Sequence, residues 1–476
     1  MNSAVIRRLV VTTDLPGRFA TAVLLSFCWL AVAVAAAIST GGHASLDSIQ
    51  QMYEAQIGQS VSWNPPFMSA LLGGLGVSRQ HGAGLALPLF VAFVCAMLWG
   101  SYTLALLSSR ARRVPVLGFL LVIVLVTNPV VLLYAGIIWK DVLFAAATAL
   151  AISLALISLS AGNPCIRLGV AISCAAVLGV LPHIRQQGVV MMPVLLVLPV
   201  LAMYWMPRVL WPRRQLLGIG AVLIASLATY TLAKSWAAAS IPGNDGRSIS
   251  VGFNSIYKFD LAGIEAFERN GPLVAMGAGS EALAELRDHY TPERIDFFAR
   301  SPHLVEFLKG HEEELFAWWR FAVTSFPNAY VTHRKEVLAA LFGFAPPLAC
   351  LPVHLGVDGF EHQMSALQLT PGSDAVDRRL YQLAVPWFGM PPFKHWSYFA
   401  AFLLVAAVAL LGRRGRTRVV LGIISLTILV FYASFVPTAI ACDFRYLFPA
   451  IPCLTILAIA VFFQWREAAE RSGYQK

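Results

Sequence analysis

The sequence predicts an all-α polytopic membrane protein of about ten transmembrane helices, with interfacial helices in its first outside loop and one large extracytoplasmic domain. Three observations predict this class. Of 476 residues, 58% are hydrophobic and only 13% charged, against about 25% charged in a soluble domain, and the mean hydropathy is +0.69. Ten stretches come close to the roughly 20 apolar residues that a helix needs to cross hydrocarbon. The basic residues gather in alternate loops between those stretches.

The spans are placed at 19–40, 83–107, 114–134, 141–161, 166–182, 188–206, 216–233, 396–411, 418–439 and 446–464. The first ends in Ala35-Ala36-Ala37, which imitates a signal-peptidase site, but its apolar run is too long for a signal h-region. The eighth is short and borrows the flanking Trp396 and Tyr398. Arg7, Arg8 and Arg18 precede the first span, and Arg110, Arg112 and Arg113 follow the second. Arg208, Arg213 and Arg214 lie between the sixth and seventh, and Arg413, Arg414, Arg416 and Arg418 between the eighth and ninth. All of these fall on one side. The opposite short loops hold only Arg79, Lys140, Arg185 and Arg445. The positive-inside rule then puts both termini in the cytoplasm. The net charge of +10 follows from this topological bias and does not imply a nucleic-acid partner.

The chain divides into a membrane module (1–233) with a first outside loop (41–82), an outside domain (234–395) and a second membrane module (396–476). The outside domain holds most of the 25 acidic residues, interspersed with basic ones as on a solvated surface. Glu281 to Glu336 reads as helical, with Thr291-Pro292-Glu293 as a helix start. The proline pairs at 346–347 and 391–392 mark irregular turns, and 340–395 is apolar enough to lie against the membrane surface. In the first loop, Ser45 to Gln59 predicts a short amphipathic helix, stopped by Pro65-Pro66. Phe67 to Leu75 is too short to span and is expected in the interface.

Seven cysteines are thinly spread. Cys28, Cys95, Cys174 and Cys453 fall inside spans, and Cys165 at a cytoplasmic turn. Cys350 and Cys442 lie outside and can pair only if the loop folds back onto the last span. The spacing shows no disulfide framework and no metal-type cluster.

The residues that carry chemistry stand at span ends on one face: Asp47, Lys140, Asp141, His183, Arg185, Asp443 and Arg445. Ionisable groups there are expensive and mark functional sites by default. Each has a plainer reading. Asp47 serves as a helix cap or solvated loop acid, or as a base toward a hydroxyl. Trp63-Asn64-Pro65-Pro66 is in isolation a rigid turn with an interfacial tryptophan. Lys140 and Asp141 anchor a helix and complement its dipole, or contact a phosphate. Arg185 and Arg445 occupy the two shortest outside loops, which usually avoid arginine, and a guanidinium binds phosphate with a planar fork. Internal pairs, Asp443 with Arg445 or Asp141 with Arg185, are the rival account.

Taken in order, these pieces resemble the GT-C superfamily of membrane glycosyltransferases, and look closest to bacterial protein-mannosyltransferase-like and O-antigen-modifying members. The resemblance is carried by Asp47 after the first span, Asn64-Pro65-Pro66 and the apolar stretch to Gly76. Asn128-Pro129 leading to Trp139-Lys140-Asp141 follows, then Arg185-Gln186-Gln187-Gly188 and Arg445-Tyr446-Leu447-Phe448-Pro449. It covers most of the membrane part and not 234–395.

The resemblance implies a polyprenyl-phosphate-linked sugar as donor and a glycan, lipid or protein acceptor in the cell envelope, lipopolysaccharide among the candidates. Asp47, with Asp141, would be catalytic. Lys140, Arg185 and Arg445 would bind the donor phosphate, with His183, Asp443, Tyr446 and Asn64 in support. Asp47 lacks the adjacent acid of many members, and Asn64 stands where histidine is frequent. No cofactor is firmly implied, and a divalent cation is left open. The excess of Arg over Lys suggests a GC-rich bacterium, hence a plasma membrane with the site facing the periplasm or exterior. A polymerase or ligase of lipid-linked glycans, or a lipid or solute transporter, is the alternative.

Overall fold

The structure, a computed structural model, describes residues 14–39, 42–62, 64–109, 111–206, 212–243, 247–268, 270–344, 350, 352–412 and 415–463. The predicted features at Trp63, Pro346-Pro347, Arg7, Arg8, Arg110, Arg208, Arg413 and Arg414 fall outside these residues.

The molecule is almost wholly helical, as the composition predicts. The membrane part comprises α1 (Gly17–Ile38), two loop helices α2 (Leu46–Ile57) and α3 (Pro66–Gly74), α4 (Ala86–Ser108), α5 (Val116–Val126), α6 (Pro129–Tyr134), α7 (Lys140–Ser160), α8 (Pro164–Ile184), α9 (Gly188–Tyr204) and α10 (Pro212–Ser240). Above one end of this bundle lie α11 (Arg247–Phe267), α12 (Pro272–Ala275), α13 (Ser280–His289), α14 (Pro302–Gly310), α15 (Leu315–Ser325), α16 (Pro327–Leu341), α17 (Glu361–Ala366) and α18 (Ala375–Ala384). The chain then re-enters through α19 (His395–Gly412), α20 (Gly415–Thr438) and α21 (Ala450–Phe462). Strands β1 (Asp14–Pro16) and β2 (Arg113–Pro115) pair antiparallel at the far end. Among the described residues, eight helical segments are long and apolar enough to cross a membrane, with α5 and α6 counted as one, and α9 and α21 are shorter apolar helices. All ten predicted spans have a helical counterpart.

The helix α7 is the axis of the bundle. In its most apolar stretch 83% of residues are buried, against 22% in α1 and α10. It packs on α4, α8, α9 and α21. Alanines at 145, 146, 147, 149 and 151 let these backbones approach, which is what drives association where lipid is as apolar as the core. The α1 helix runs unbroken through Ala35-Ala36-Ala37.

Three local expectations are corrected. The third span breaks at Asn128, whose Oδ1 accepts the Val130 N–H at 2.9 Å, because a proline pushes its predecessor out of helix. The last span starts with a 3-10 turn, Phe444–Tyr446, and its α-helix covers only 13 residues, about 20 Å. That irregular start is packed in protein, where non-helical backbone at membrane depth is tolerated. No α-helix starts at Thr291-Pro292-Glu293. Its backbone is taken by pairing, Ile295 N–H to the Ile440 carbonyl and Cys442 N–H to the Glu293 carbonyl, both 2.8 Å, and a 3-10 helix Ile295–Arg300 follows. The short helix α3 stands where the first loop predicts one. It buries Phe67, Met68, Ala70 and Leu72 against α2 and α10. Pro391-Pro392 does form an irregular turn, a 3-10 helix Pro391–Phe393.

Two attachments fix the helices above the bundle. Asp260 of α11 accepts from Arg334 and from the Trp319 indole, each at 2.7 Å, and Arg334 also donates to the Ala439 carbonyl at 2.7 Å. Cys350 and Cys442 form a disulfide, Cα–Cα 5.6 Å, across 92 residues. The loop does fold back on the last span, and the expectation of no disulfide framework gives way to a single bridge.

Cross-linking so long a loop stabilises chiefly by restricting the unfolded chain. Cys350→Ser with Cys442→Ser is expected to cost about 2–5 kcal/mol, read as a lower midpoint of thermal unfolding in detergent. Reductant should lower the wild-type midpoint and leave that of the double variant unmoved.

Candidate active site

The chain brings five distant segments to one end of α7. The first is the start of α2, where Ser45 and Ser48 form a capping box and Asp47 stands in the first helical turn. Its register is set from the neighbouring segment, since Ser48 Oγ donates to the Ile138 carbonyl at 2.6 Å and Trp139 Nε1 to Ser45 Oγ at 2.7 Å. His43 and Ala44 run as isolated bridges beside Ile137 and Val357, so three segments are stitched edge to edge beneath Asp47.

Arg445 closes the cluster from the other end of the chain. Its guanidinium donates to Asp47 Oδ2 at 2.5 Å, 398 residues away in sequence. Its Nε is 3.4 Å from Asp443, without hydrogen-bond geometry. The plane lies over Trp139 at 5.1 Å and Tyr446 at 5.3 Å, where an aromatic face attracts a cation. Burial alone would raise the Asp47 carboxyl, but Arg445 and Lys140 outweigh it and hold its pKa below the ordinary value. Burial would likewise lower Arg445, and Asp47, Tyr446 and Asp443 overcome it, so that side chain stays charged.

A second pair sits beneath the first. Arg185 meets Asp141 Oδ1 at 2.7 Å and donates to the Tyr446 carbonyl at 2.9 Å. Both side chains are buried. The turn that presents Arg185 is tight: Gly188 N–H returns to the Arg185 carbonyl at 2.9 Å, and a Cβ at Gly188 would lie 2.5 Å from the Leu181 carbonyl. Only glycine fits there. Lys140 turns instead toward the first loop, its Nζ 2.6 Å from Asn64 Oδ1. That loop is shaped by buried Glu54, which accepts from Val61 N–H, Ser62 N–H and Ser69 Oγ at 2.9, 2.7 and 2.7 Å.

Both rival pairings expected from the sequence are therefore present, Asp141 with Arg185 and, more loosely, Asp443 with Arg445. Asp47, Asn64, Lys140, Asp141, Arg185, Asp443, Arg445 and Tyr446 converge. His183 does not join them. Its Nε2 meets the Tyr230 carbonyl of α10 at 2.9 Å, and its ring packs on Tyr230.

A cavity of about 590 Å³ opens on the cluster, lined among others by Asp47, Tyr134, Trp139, Asp443 and Arg445. Arg185, Asp141 and Lys140 do not line it. Two further residues at the cavity escaped sequence reasoning. Arg294 arrives with the strand-like pairing of 293–295 on 440–442 and stands 2.9 Å from Asp296 and 3.7 Å from Asp443. His354 lines the wall beside Trp139, ring centroids 6.1 Å apart. Neither carries a local sequence signal, because each lies in a polar stretch where a charge or a histidine is unremarkable.

Among the described residues no three His, Cys, Asp or Glu converge as metal ligands. Asp47 and Asp141 each face an arginine instead.

No protein-family model matches the chain, and no curated protein matches it in sequence. Two solved structures align with it. They are the archaeal oligosaccharyltransferase AglB from Archaeoglobus fulgidus with an inhibitory peptide and a dolichol-phosphate, and the Archaeoglobus fulgidus oligosaccharyltransferase in its apo form. Each is 13% identical, with a TM-score of 0.35 over 91% of this chain and 50% of the other. The chain thus spans about half the length of those proteins, and so distant a likeness decides nothing about its activity.

A depressed Asp47 pKa gives a signed pH dependence. The pairing contributes stability above the unfolded carboxyl pKa of about 4, and loses it as pH falls through the lower folded value. The stability gap between wild type and Asp47→Asn, read by chemical unfolding, should be constant from neutral pH to the upper edge of the carboxylate range and narrow only below it. A double-mutant cycle of Asp47→Asn and Arg445→Met should return a coupling of about 0.5–3 kcal/mol.

Proposed function

We propose that this protein is a membrane glycosyltransferase. It moves a sugar from a polyprenyl-phosphate donor to a hydroxyl of a cell-envelope acceptor on the extracytoplasmic face. The observation that carries this reading is the convergence of Asp47 and Arg445, with Asp141, Arg185 and Lys140 behind them, around one cavity at the membrane boundary. That is a base beside a cationic wall, where a lipid-borne phosphate can be reached. The order of motifs shared with the GT-C superfamily supports it. The Cys350–Cys442 disulfide lies at the same end, which suits an oxidising compartment and agrees with termini in the cytoplasm.

The chemistry is a single displacement. Asp47 takes the proton of the acceptor hydroxyl, and the oxygen attacks the anomeric carbon. The bond from that carbon to the phosphate oxygen breaks, and the polyprenyl phosphate leaves with the electron pair. Configuration inverts. Arg445 faces the cavity and meets the growing phosphate charge, an effect that needs no reorganisation when the donor is already in place. Arg185 acts from behind, through the Tyr446 carbonyl that it holds. Tied to Arg445 as it is here, Asp47 is a weak base. A phosphate that draws Arg445 to itself loosens that tie and lets the carboxylate pKa rise, so donor binding prepares the base. No step is routed through a divalent cation.

The test is transfer of labelled sugar from a panel of polyprenyl-phosphate sugars by purified protein in lipid, with native envelope lipids as acceptors. Asp47→Asn is expected to abolish transfer while leaving donor binding intact or tighter. Arg445→Ala should cut transfer by about 10²–10³ and weaken donor binding with it. Transfer unaffected by both changes would remove these residues from the mechanism. Absence of transfer with every donor would favour a polymerase, ligase or transporter.

A further inference from the structure

One side of the cavity is built by the segment 293–295 paired on 440–442. Ile295 N–H donates to the Ile440 carbonyl and Cys442 N–H to the Glu293 carbonyl, both at 2.8 Å, and Arg294 stands opposite Ala441 in an antiparallel bridge. Side chains alternate along such a pair. Asp443, two residues beyond Ala441, therefore falls on the same face and diagonal to Arg294, within reach of a long side chain. Both side chains line the cavity. Arg294 belongs to the segment 234–395, outside the part of the chain that carries the superfamily resemblance.

Asp443 stands between two guanidinium groups and is hydrogen-bonded to neither. Its Oδ1 is 3.7 Å from Arg294 Nη2 and its Oδ2 3.4 Å from Arg445 Nε, and among the described residues its carboxylate accepts no hydrogen bond. An ionised carboxylate can only accept, so this one has room for a donor from the cavity. Arg294 is differently engaged. Its Nε and Nη2 both lie 2.9 Å from Asp296 Oδ2. The edge with which a guanidinium grips a phosphate or a carboxylate through two parallel bonds is thus already taken, and single N–H groups remain for the cavity. A single donor beside a free acceptor matches a hydroxyl, which donates and accepts at one oxygen.

Charge divides the site in the same sense. In its inner part Lys140, Arg185 and Arg445 outnumber Asp47 and Asp141. Toward solvent, Asp296, Asp358 and Asp443 outnumber Arg294. An anion is drawn inward and repelled at the mouth, while a cation is opposed at Asp443 itself by the arginine on either side. We propose that Asp443 and Arg294 together hold a hydroxyl of the transferred sugar, and that this sugar is neutral rather than acidic. This deepens the glycosyltransferase reading and rests on it. The donor phosphate lies on Arg445 and the sugar ring extends toward Asp443, which accepts from the hydroxyl while Arg294 donates to the same oxygen. Asp47 and Asp443 approach Arg445 at Nη1 and at Nε, so the ring is held beside the base without displacing it. Tyr134, Trp139 and Phe444 face its C–H edges, the mixture of apolar wall and few polar groups usual in a small-molecule site. The outside domain thus takes part in choosing the donor sugar.

The test compares ligands that differ only in the sugar. Full-length protein in nanodiscs is titrated with bare polyprenyl phosphate, with polyprenyl-phosphate glucose, mannose and galactose, and with the glucuronic acid counterpart, and Kd is read for each. The wild type is expected to hold one neutral sugar donor more tightly than bare polyprenyl phosphate, and more tightly than the glucuronyl donor. Arg294→Gln and Asp443→Asn should each weaken that neutral donor about ten-fold and leave bare polyprenyl phosphate unchanged. Asp443→Asn should also narrow the gap between neutral and glucuronyl donors. Arg294→Gln, on a half-exposed side chain, keeps the test open should Asp443→Asn fail to fold. Equal weakening of bare and glycosylated ligands would overturn the proposal, since these residues would then serve the phosphate or the shape of the site. Unchanged affinities, equal wild-type affinity for bare and glycosylated lipid, or a wild-type preference for the glucuronyl donor would overturn it as well. The glycosyltransferase reading fails separately, when the wild type binds no polyprenyl phosphate with or without a sugar, and the proposal then falls with it.

Discussion

The contact between Arg445 and Asp47 is the constraint on which the rest of this molecule turns. It joins the segment after the first span to the segment before the last, and both ends are largely withdrawn from water. A carboxylate and a guanidinium so placed are costly singly and tolerable together. Each must therefore be delivered accurately by its own element. The capping box of α2, the stitched edge of 43–44, 137–138 and 357, the 3-10 turn at 444–446 and the stacking of Trp139 and Tyr446 on the guanidinium all serve that delivery. The Asp141–Arg185 pair repeats the arrangement one layer down, and Tyr446 links the two layers. Its backbone carbonyl is held by Arg185 while its ring lies under Arg445.

Much of this could be read from the chain because charge is conspicuous against hydrocarbon. Ten apolar runs predicted ten helices, and the charges at their ends predicted most of the cluster. What could not be read has physical causes. His183 and Arg185 share a short loop, yet residues two apart at a helix end do not face the same way, and the imidazole went to α10. Arg294 and His354 sit in segments where polar residues are background, and they reach the site through backbone pairing that has no pattern in sequence. Glu54 shapes the first loop from inside a helix that reads only as amphipathic. Thr291-Pro292-Glu293 has the residues of a helix start, but a long-range pairing with 440–442 offered its backbone a different partner. Pairing of Cys350 with Cys442 was conditional on the loop folding back, a geometric fact that spacing alone does not contain.

The helices over the bundle are held where they are by polar groups as well as by apolar contact. Asp260 gathers Arg334 and Trp319 in a buried knot, and Arg334 spends its remaining reach on a carbonyl at the end of α20. Arg294 is then set at the cavity by a segment whose position depends on that same stretch, 440–442. Wall and floor of the cavity are thus parts of one framework.

The disulfide orders events in time. Cys350 precedes the last three membrane helices and Cys442 follows two of them, so the sulfurs cannot meet until α19 and α20 have both been threaded through the bilayer. Residues 443–446, which carry Arg445, follow Cys442 directly in the chain. Asp141 can therefore meet Arg185 early, whereas Asp47 stands without Arg445 until that segment is made. The two layers of ion pairs are thus closed in sequence, the inner one first and the outer one after α19 and α20 are in place.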